Sequence, residues 1–312
     1  MIKIFNWVTK DTNIDFMKAR KFTYMLSTVA VVLSLACIFI KGFNYGIDFS
    51  GGILVEIKSN EVIDLEEIRT KLSDLEIEDV QLQTIGEIGD EVVVRAQPKS
   101  DEESEQMEAV NSIKEALGAE FEFRRVELVG PQVGDELKFD GIIASLIATL
   151  GISLYIWFRF EWQFALGIMV GLLHDIVVIA GLLALFGIDF NLTTVAAILT
   201  LAGYSVNDTV VTYDRMRENL RKYKKMPQMD LLNKSINDIF SRTILTGFTT
   251  LFASLSLFLF GGDTLRAFSF PLLWGVIIGT YSSIYISGVF VNLFDLRKNT
   301  EEGVINPFGN VE

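Results

Sequence analysis

The apolar residues of this chain come mostly as long unbroken runs, not at the spacing of a helix face or a strand. Runs of about 18 or more are what roughly 30 Å of hydrocarbon demands at about 1.5 Å rise per residue. The first run reads Phe22 to Ile40 and holds no charge. Polar sequence fills 41–140, and five further runs follow: Gly141–Phe158, Trp162–Gly187, Phe190–Tyr213, Thr243–Phe260 and Ala267 to about Phe294. The pattern predicts an α-helical polytopic membrane protein with six transmembrane helices, one before a large loop and five after it. The expected divisions are a tail over 1–21, helix 1 over 22–40, an outer domain over 41–140, a five-helix domain over 141–296 and a tail over 297–312.

Within the polar stretch the periodicity changes. Ile53–Ser59 alternates like a strand, and Asp64–Leu75 carries apolar residues at 65, 68, 72 and 75 behind Asp64 as N-cap. Val80–Ile85 and Glu91–Gln97 read as two strands around a Gly86–Gly89–Asp90 turn. Ser104–Leu117 reads as a helix closed by Gly118, and Phe121–Val129 as a last strand with imperfect alternation. The order β-α-β-β-α-β predicts an α+β, ferredoxin-like extracytoplasmic domain.

Charge separates the two parts. Between Gly42 and Asp140 there are 25 acids and 9 bases, a net of −16, against −13 for the whole chain. The remainder is therefore mildly basic, and the acidic domain is a poor match for nucleic acid. The bases of short segments cluster in the N-terminal tail (Lys3, Lys10, Lys18, Arg20, Lys21), in the loop after span 4 (Arg215 to Arg242) and after span 6 (Arg297, Lys298). By the positive-inside rule both termini are expected in the cytoplasm and the acidic domain outside. Trp157 and Trp162 flank the tight Arg159–Phe160–Glu161 turn, as interfacial aromatics do. The N-terminus does not read as a cleavable signal, since about 20 mostly polar residues precede the first run. The single Cys37 forms no disulfide within the chain.

Charges at bilayer depth cost about 2.5–3.5 kcal/mol on insertion scales, so the exceptions carry information. Span 3 holds His174 and Asp175; span 4 holds Asn207 and Asp208, with Tyr204, Ser205, Thr209 and Thr212 around them. Asp208 reads either as a structural pair with a neighbouring helix or as a titrating carboxylate in an ion pathway, the second being the rule for intramembrane acids. His174 and Asp175 read equally as a helix-to-helix hydrogen bond or as pathway members. Arg242, at the opening of span 5, reads as a snorkelling anchor or as a partner for an acid. Axial spacing places Asp175 about 20 Å and Asp208 about 8 Å from one membrane edge, so hydroxyls such as Thr200 and Ser205, or water, are expected to bridge them. Gly167 with Gly171, and Gly275 with Gly279, allow close helix packing. Pro271 kinks span 6 or marks its start. No P-loop is present, so ATP hydrolysis is not expected, and one histidine and one cysteine on different spans make no metal cluster.

Several ordered motifs are similar to those of a known family. Gly203-Tyr204-Ser205-Val206-Asn207-Asp208-Thr209-Val210-Val211, followed by Asp214-Arg215-Met216-Arg217-Glu218-Asn219, resembles the span 4 signature of the SecF family of protein-export membrane proteins. So do Phe43-Asn44-Tyr45-Gly46-Ile47-Asp48-Phe49-Ser50-Gly51-Gly52, Gly130-Pro131-Gln132-Val133-Gly134-Asp135-Glu136-Leu137, Leu173-His174-Asp175 and Ser241-Arg242-Thr243. The resemblance implies a place in the resistance–nodulation–division superfamily and in the bacterial cytoplasmic membrane. It implies SecD as obligate partner, the SecYEG channel as neighbour, SecA acting indirectly, YajC as a further partner and unfolded preproteins as substrate. No cofactor is implied; the proton motive force supplies energy. By motif, Asp208 resembles the family's proton-handling acid and Arg242 its partner, with Asp175, His174 and Asn207 along the pathway. Gly46, Asp48, Gly51, Gly52, Gly130, Pro131 and Gly134 are expected to form hinge segments. A proton-coupled exporter of small molecules and a purely structural scaffold are the rival readings.

Overall fold

The computed structural model describes residues 12–73, 75, 77–85, 89–98 and 103–297. The tail positions 1–11 and 298–312, and Gly86 of the expected turn, lie outside the described residues. Among the described residues six helices are long and apolar enough to cross a membrane: Met17–Lys41, Pro131–Arg159, Trp162–Phe186, Leu192–Lys222, Gln228–Phe260 and Leu265–Leu293. The chain divides into two compact units, one of residues 45–144 with 190–192, the other of the remainder.

The first unit contains a four-stranded sheet. In chain order its elements are β1 (Asn44–Tyr45, of which Tyr45 belongs to this unit), the short helix α2 (Ile47–Ser50) that follows α1 (Arg20–Lys41), β2 (Gly52–Lys58), α3 (Leu65–Ser73), β3 (Ile77–Ile85), β4 (Glu91–Pro98), α4 (Glu103–Leu117) and β5 (Glu122–Val129). The strands lie in the order β3-β4-β2-β5, every neighbour antiparallel. One face of β2 and β4 is strictly apolar: Ile53, Val55 and Ile57 stand opposite Ala96, Val94 and Val92. Ile68 and Leu72 of α3 and Val110, Ile113 and Leu117 of α4 close over that face. Burying each such side chain is worth about 1.5–3 kcal/mol.

Two irregularities account for the imperfect patterns. Phe123 pairs with Ile57 and Val126 with Val55, and the register slips between them. Arg124 is the extra residue of a β-bulge, so the inward-facing positions become 123, 126 and 128. Arg124 then reaches Glu91 at 2.9 Å, and Lys58 meets Glu91 at 2.6 Å and Asp90 at 3.1 Å. On the edge strand, Asp79 takes φ of 48° where the pairing shifts between Glu78 and Gln81, which carries β3 three residues further than alternation alone predicts.

The second unit is helical. Its members are α1, the end of α5 (Pro131–Arg159), α6 (Trp162–Phe186), α7 (Leu192–Lys222), α8 (Gln228–Phe260) and α9 (Gly262–Ser282), followed by a π-helical turn Ser283–Ser287. A two-residue strand, β6 (Asp189–Phe190), precedes α7. Helix α6 is over half buried, whereas α1 and α8 are mostly uncovered on their flanks. Small residues explain how α6 comes so close to its neighbours: Gly167 faces Tyr213, Gly171 faces Ser287 and Gly181 faces Ser34, each with no room for a methyl group.

Several helices are longer than their apolar runs. Helix α5 starts at Pro131, ten residues before the run, and α8 starts at Gln228, so Arg242 lies inside a 33-residue helix and does not open one. The polar extension of α8 is held by partners: Asn219 donates to Ser235 and Asp238, and Arg215 pairs with Asp238 at 2.8 Å. Ile14 and Phe16 donate backbone N–H groups to Asn237 and Asn233, and Arg297 donates to the carbonyls of Tyr223, Lys224 and Met226. The described parts of the basic segments thus gather at one end of the helical unit. Pro271 lies inside α9, with helix on both sides, and does not mark its start.

Candidate functional site

Among the described residues of the helical unit two carboxylates are buried, Asp175 at 1% exposure and Asp208 at 7%. Each is a cost that the fold offsets with directed hydrogen bonds. Asp175 Oδ2 accepts from Ser205 of α7 at 2.5 Å and from Ser282 of α9 at 2.7 Å. Its Oδ1 lies 2.9 Å from His174 Nδ1. An ionised carboxylate would take this bond from Nδ1–H, and His174 Nε2 is buried without a hydrogen-bond partner. Asp208 Oδ2 accepts from Ser283 at 2.5 Å, and Oδ1 from Thr243 of α8 at 3.1 Å.

Helix geometry puts these groups together. Ser205 and Asp208 are three apart on α7 and share a face. A Cβ on Gly279, one turn before Ser282 and Ser283, would lie beside Ser205 and Asp175 at ordinary van der Waals distance. Gly275, one turn earlier, lets Leu201 of α7 press directly on the α9 backbone. Among the described residues no single hydroxyl bonds both acids: Ser205 and Ser282 serve Asp175, and Thr243 and Ser283 serve Asp208. Of the two hydroxyls expected to bridge them, Ser205 reaches Asp175 alone, and Thr200 turns back to Ala196 O on an exposed face.

The other expected members stand differently. Arg242 is exposed and makes no ion pair with Asp208 within 4 Å, although its charge acts on that carboxylate. Asn207 is exposed and joins none of these hydrogen bonds. Arg215, seven residues from Asp208 on α7, turns to Glu218 and Asp238 instead. Thr243, Ser282 and Ser283 were not anticipated. The polar triplet Tyr281-Ser282-Ser283 inside an otherwise apolar run was the available signal.

The glycine motifs form a second cluster, within the sheet-containing unit. Gly51 has φ of 69°, and a Cβ there would sit 2.9 Å from Pro131 Cα. A Cβ on Gly134, one turn into α5, would sit 2.9 Å from the Gly51 nitrogen. Backbone meets backbone here, which only glycine permits. Gly52 lies against Ala96 O, Gly46 against Asn191, and Asp48 Oδ2 accepts from the Leu192 N–H at the start of α7. Gly130 has only ordinary contacts, with Gln106.

Comparisons with known proteins agree along the chain. Residues 109–297 match the family model described as protein export membrane protein SecD/SecF, C-terminal, and residues 38–60 match the SecD/SecF GG motif. Protein translocase subunit SecF of Rickettsia felis is 46% identical over 91% of this chain and 92% of its own length. That of Rickettsia prowazekii is 45% identical over 94% of both. Among solved structures, SecDF of Thermus thermophilus, a translocon-associated membrane protein, superposes with a TM-score of 0.81 at 32% identity. It covers 93% of this chain, which spans only 39% of that one. SecDF in a super-membrane-facing form gives a TM-score of 0.67.

Proposed function

Because the chain belongs to the SecF family of protein-export membrane proteins, we propose that it acts in proton-driven protein translocation, with Asp208 as the proton-handling group. The family supports a role in protein translocation, a multi-pass place in the bacterial inner membrane and a SecD-type partner. In this reading both termini are cytoplasmic, and the outer domain is a ferredoxin-like sandwich on the far side. The SecYEG channel, SecA and YajC are the wider assembly. The chain hydrolyses no ATP and needs no cofactor.

The observation that carries the proton reading is the environment of Asp208. It is enclosed by helices, held by two hydroxyls, and has a nearby arginine that does not pair with it. Low dielectric favours a neutral carboxyl group and an approaching cation favours the charged one, so movement of Arg242 toward or away from Asp208 can release or admit a proton. Moving one charge through 100 mV supplies about 2.3 kcal/mol, enough to bias a two-state element. An exposed arginine and an exposed Asn207 on adjoining apolar helices also support a second polytopic subunit covering them. The glycine cluster at Gly51 and Gly134 is where the outer domain would take up the motion.

The test is export of a preprotein from energised membrane vesicles that contain the whole complex. Asp208→Asn is expected to abolish the part of export that depends on the proton gradient while the complex still assembles. Undiminished gradient-dependent export would sink the reading.

A further inference from the structure

Asp175 and Asp208 are held by consecutive residues. Ser282 donates to the first and Ser283 to the second. The pair stands where α9 ends and the π-helical turn Ser283–Ser287 begins. Such turns are rare and concentrate at functional sites.

Each serine has one hydroxyl hydrogen and two acceptors within reach. Ser282 Oγ is 3.2 Å from Gly279 O, and Ser283 Oγ is 3.0 Å from Thr280 O, both in the last turn of α9. Which acceptor takes the hydrogen depends on the charge of the carboxylate. An ionised acid only accepts, so it draws the hydroxyl hydrogen to itself. A protonated acid carries its own hydrogen; the serine then donates to its helix carbonyl and accepts from the acid. The proton stays on the carboxyl group throughout, and the serine returns unchanged.

The far end of the π-helical turn is gripped as well. Tyr213, fully buried on α7, donates to Ser287 O at 2.7 Å, and Ser287 packs on Gly171 of α6. Helix α7 therefore holds the turn at both ends, through Asp208 and through Tyr213.

We propose that Ser282 and Ser283 are positioning residues that couple the protonation states of Asp175 and Asp208 to the backbone of the π-helical turn. This rests on the proton reading of Asp208. The groups facing the two acids are His174 on α6, Tyr204 and Ser205 on α7, Thr243 and the charge of Arg242 on α8, and the two serines themselves. A change at either acid then reaches the last span, and through it Tyr213 and α7, without a direct contact between the acids.

The experiment uses the assembled complex in vesicles, with gradient-dependent export and infrared difference spectra of protonated carboxyl groups as readouts. Asp208→Asn and Asp175→Asn assign the two bands. Ser283→Ala is expected to lower gradient-dependent export about tenfold and shift the Asp208 band. Ser282→Ala is expected to shift the Asp175 band, and Ser283→Thr to restore most of the export. Wild-type export and unshifted bands in the double alanine variant, beside an inactive Asp208→Asn, overturn the serine coupling alone. Wild-type export in Asp208→Asn overturns the proton reading and this proposal with it. Co-purification checks assembly, and if the double variant does not assemble, each single variant with its own band decides.

Discussion

Thr243 donates its hydroxyl to Asp208 Oδ1 across 3.1 Å, so it is this residue, and not the adjacent Arg242, that α8 turns toward the carboxylate. Removing that hydroxyl leaves a buried acceptor short of one donor. Thr243→Val is expected to destabilise the helical unit by about 1.5–3 kcal/mol, read as a lower unfolding temperature of the purified chain in detergent. Thr243→Ser keeps the donor and is expected to be nearly neutral. Equal losses in both variants would show that methyl packing, not the hydrogen bond, matters there.

The close approach of Gly51 to α5 makes a sharper contrast. Gly51→Ala meets both an unfavourable φ and the Pro131 backbone, and Gly134→Ala meets the Gly51 backbone. Each is expected to cost more than about 1–3 kcal/mol and to lower the amount of folded chain recovered from membranes. Gly118→Ala has a positive φ but open space around it, so about 1 kcal/mol is expected. If all three behave alike, the close approach is not what selects glycine.

Ile113 sits wholly buried between α4 and the sheet, while Val126 on the edge strand is a third exposed. Ile113→Ala is expected to cost about 2–5 kcal/mol and Val126→Ala less than about 1 kcal/mol, measured by denaturant titration of the full chain.

Lys58 links Glu91 and Asp90 on the surface of the same unit. Its hydrogen bond to Glu91, then that to Asp90, pushes the lysine above its ordinary range, and Lys58 holds Asp90 below the usual carboxylate range. The contribution from Asp90 is present above its unfolded pKa and lost as pH falls through the lower folded value. That from Lys58 is present below the unfolded lysine pKa and lost as pH rises through the higher folded value. The difference in unfolding temperature between wild type and Lys58→Met is therefore expected to be flat from about pH 4 to about pH 10 and to shrink at both ends. A difference that persists at low and high pH would assign the effect to packing of the lysine stem.

Much of this was legible along the chain because membranes and small sheets impose strict local patterns. Hydrocarbon requires a run of apolar residues whatever the neighbours are, so the six spans show without any knowledge of packing. Alternation at Ile53, Val55 and Ile57 showed a strand because one face meets a core. The cost of burying charge singled out Asp175 and Asp208.

What the sequence could not decide was direction and partnership. Helix ends extended past the apolar runs because polar partners such as Asp238 and Asn219 satisfy them, and those partners come from another helix. The phase of β5 depended on a bulge at Arg124, which only pairing with β2 reveals. The side of α8 that faces Asp208 was settled by how that helix rotates against α7, so Thr243 entered the site and Arg242 did not. Ser282 and Ser283 read as minor polar interruptions in an apolar run. The packing of α9 against α6 and α7, across glycines that admit it closely, made each of them the donor to a buried acid.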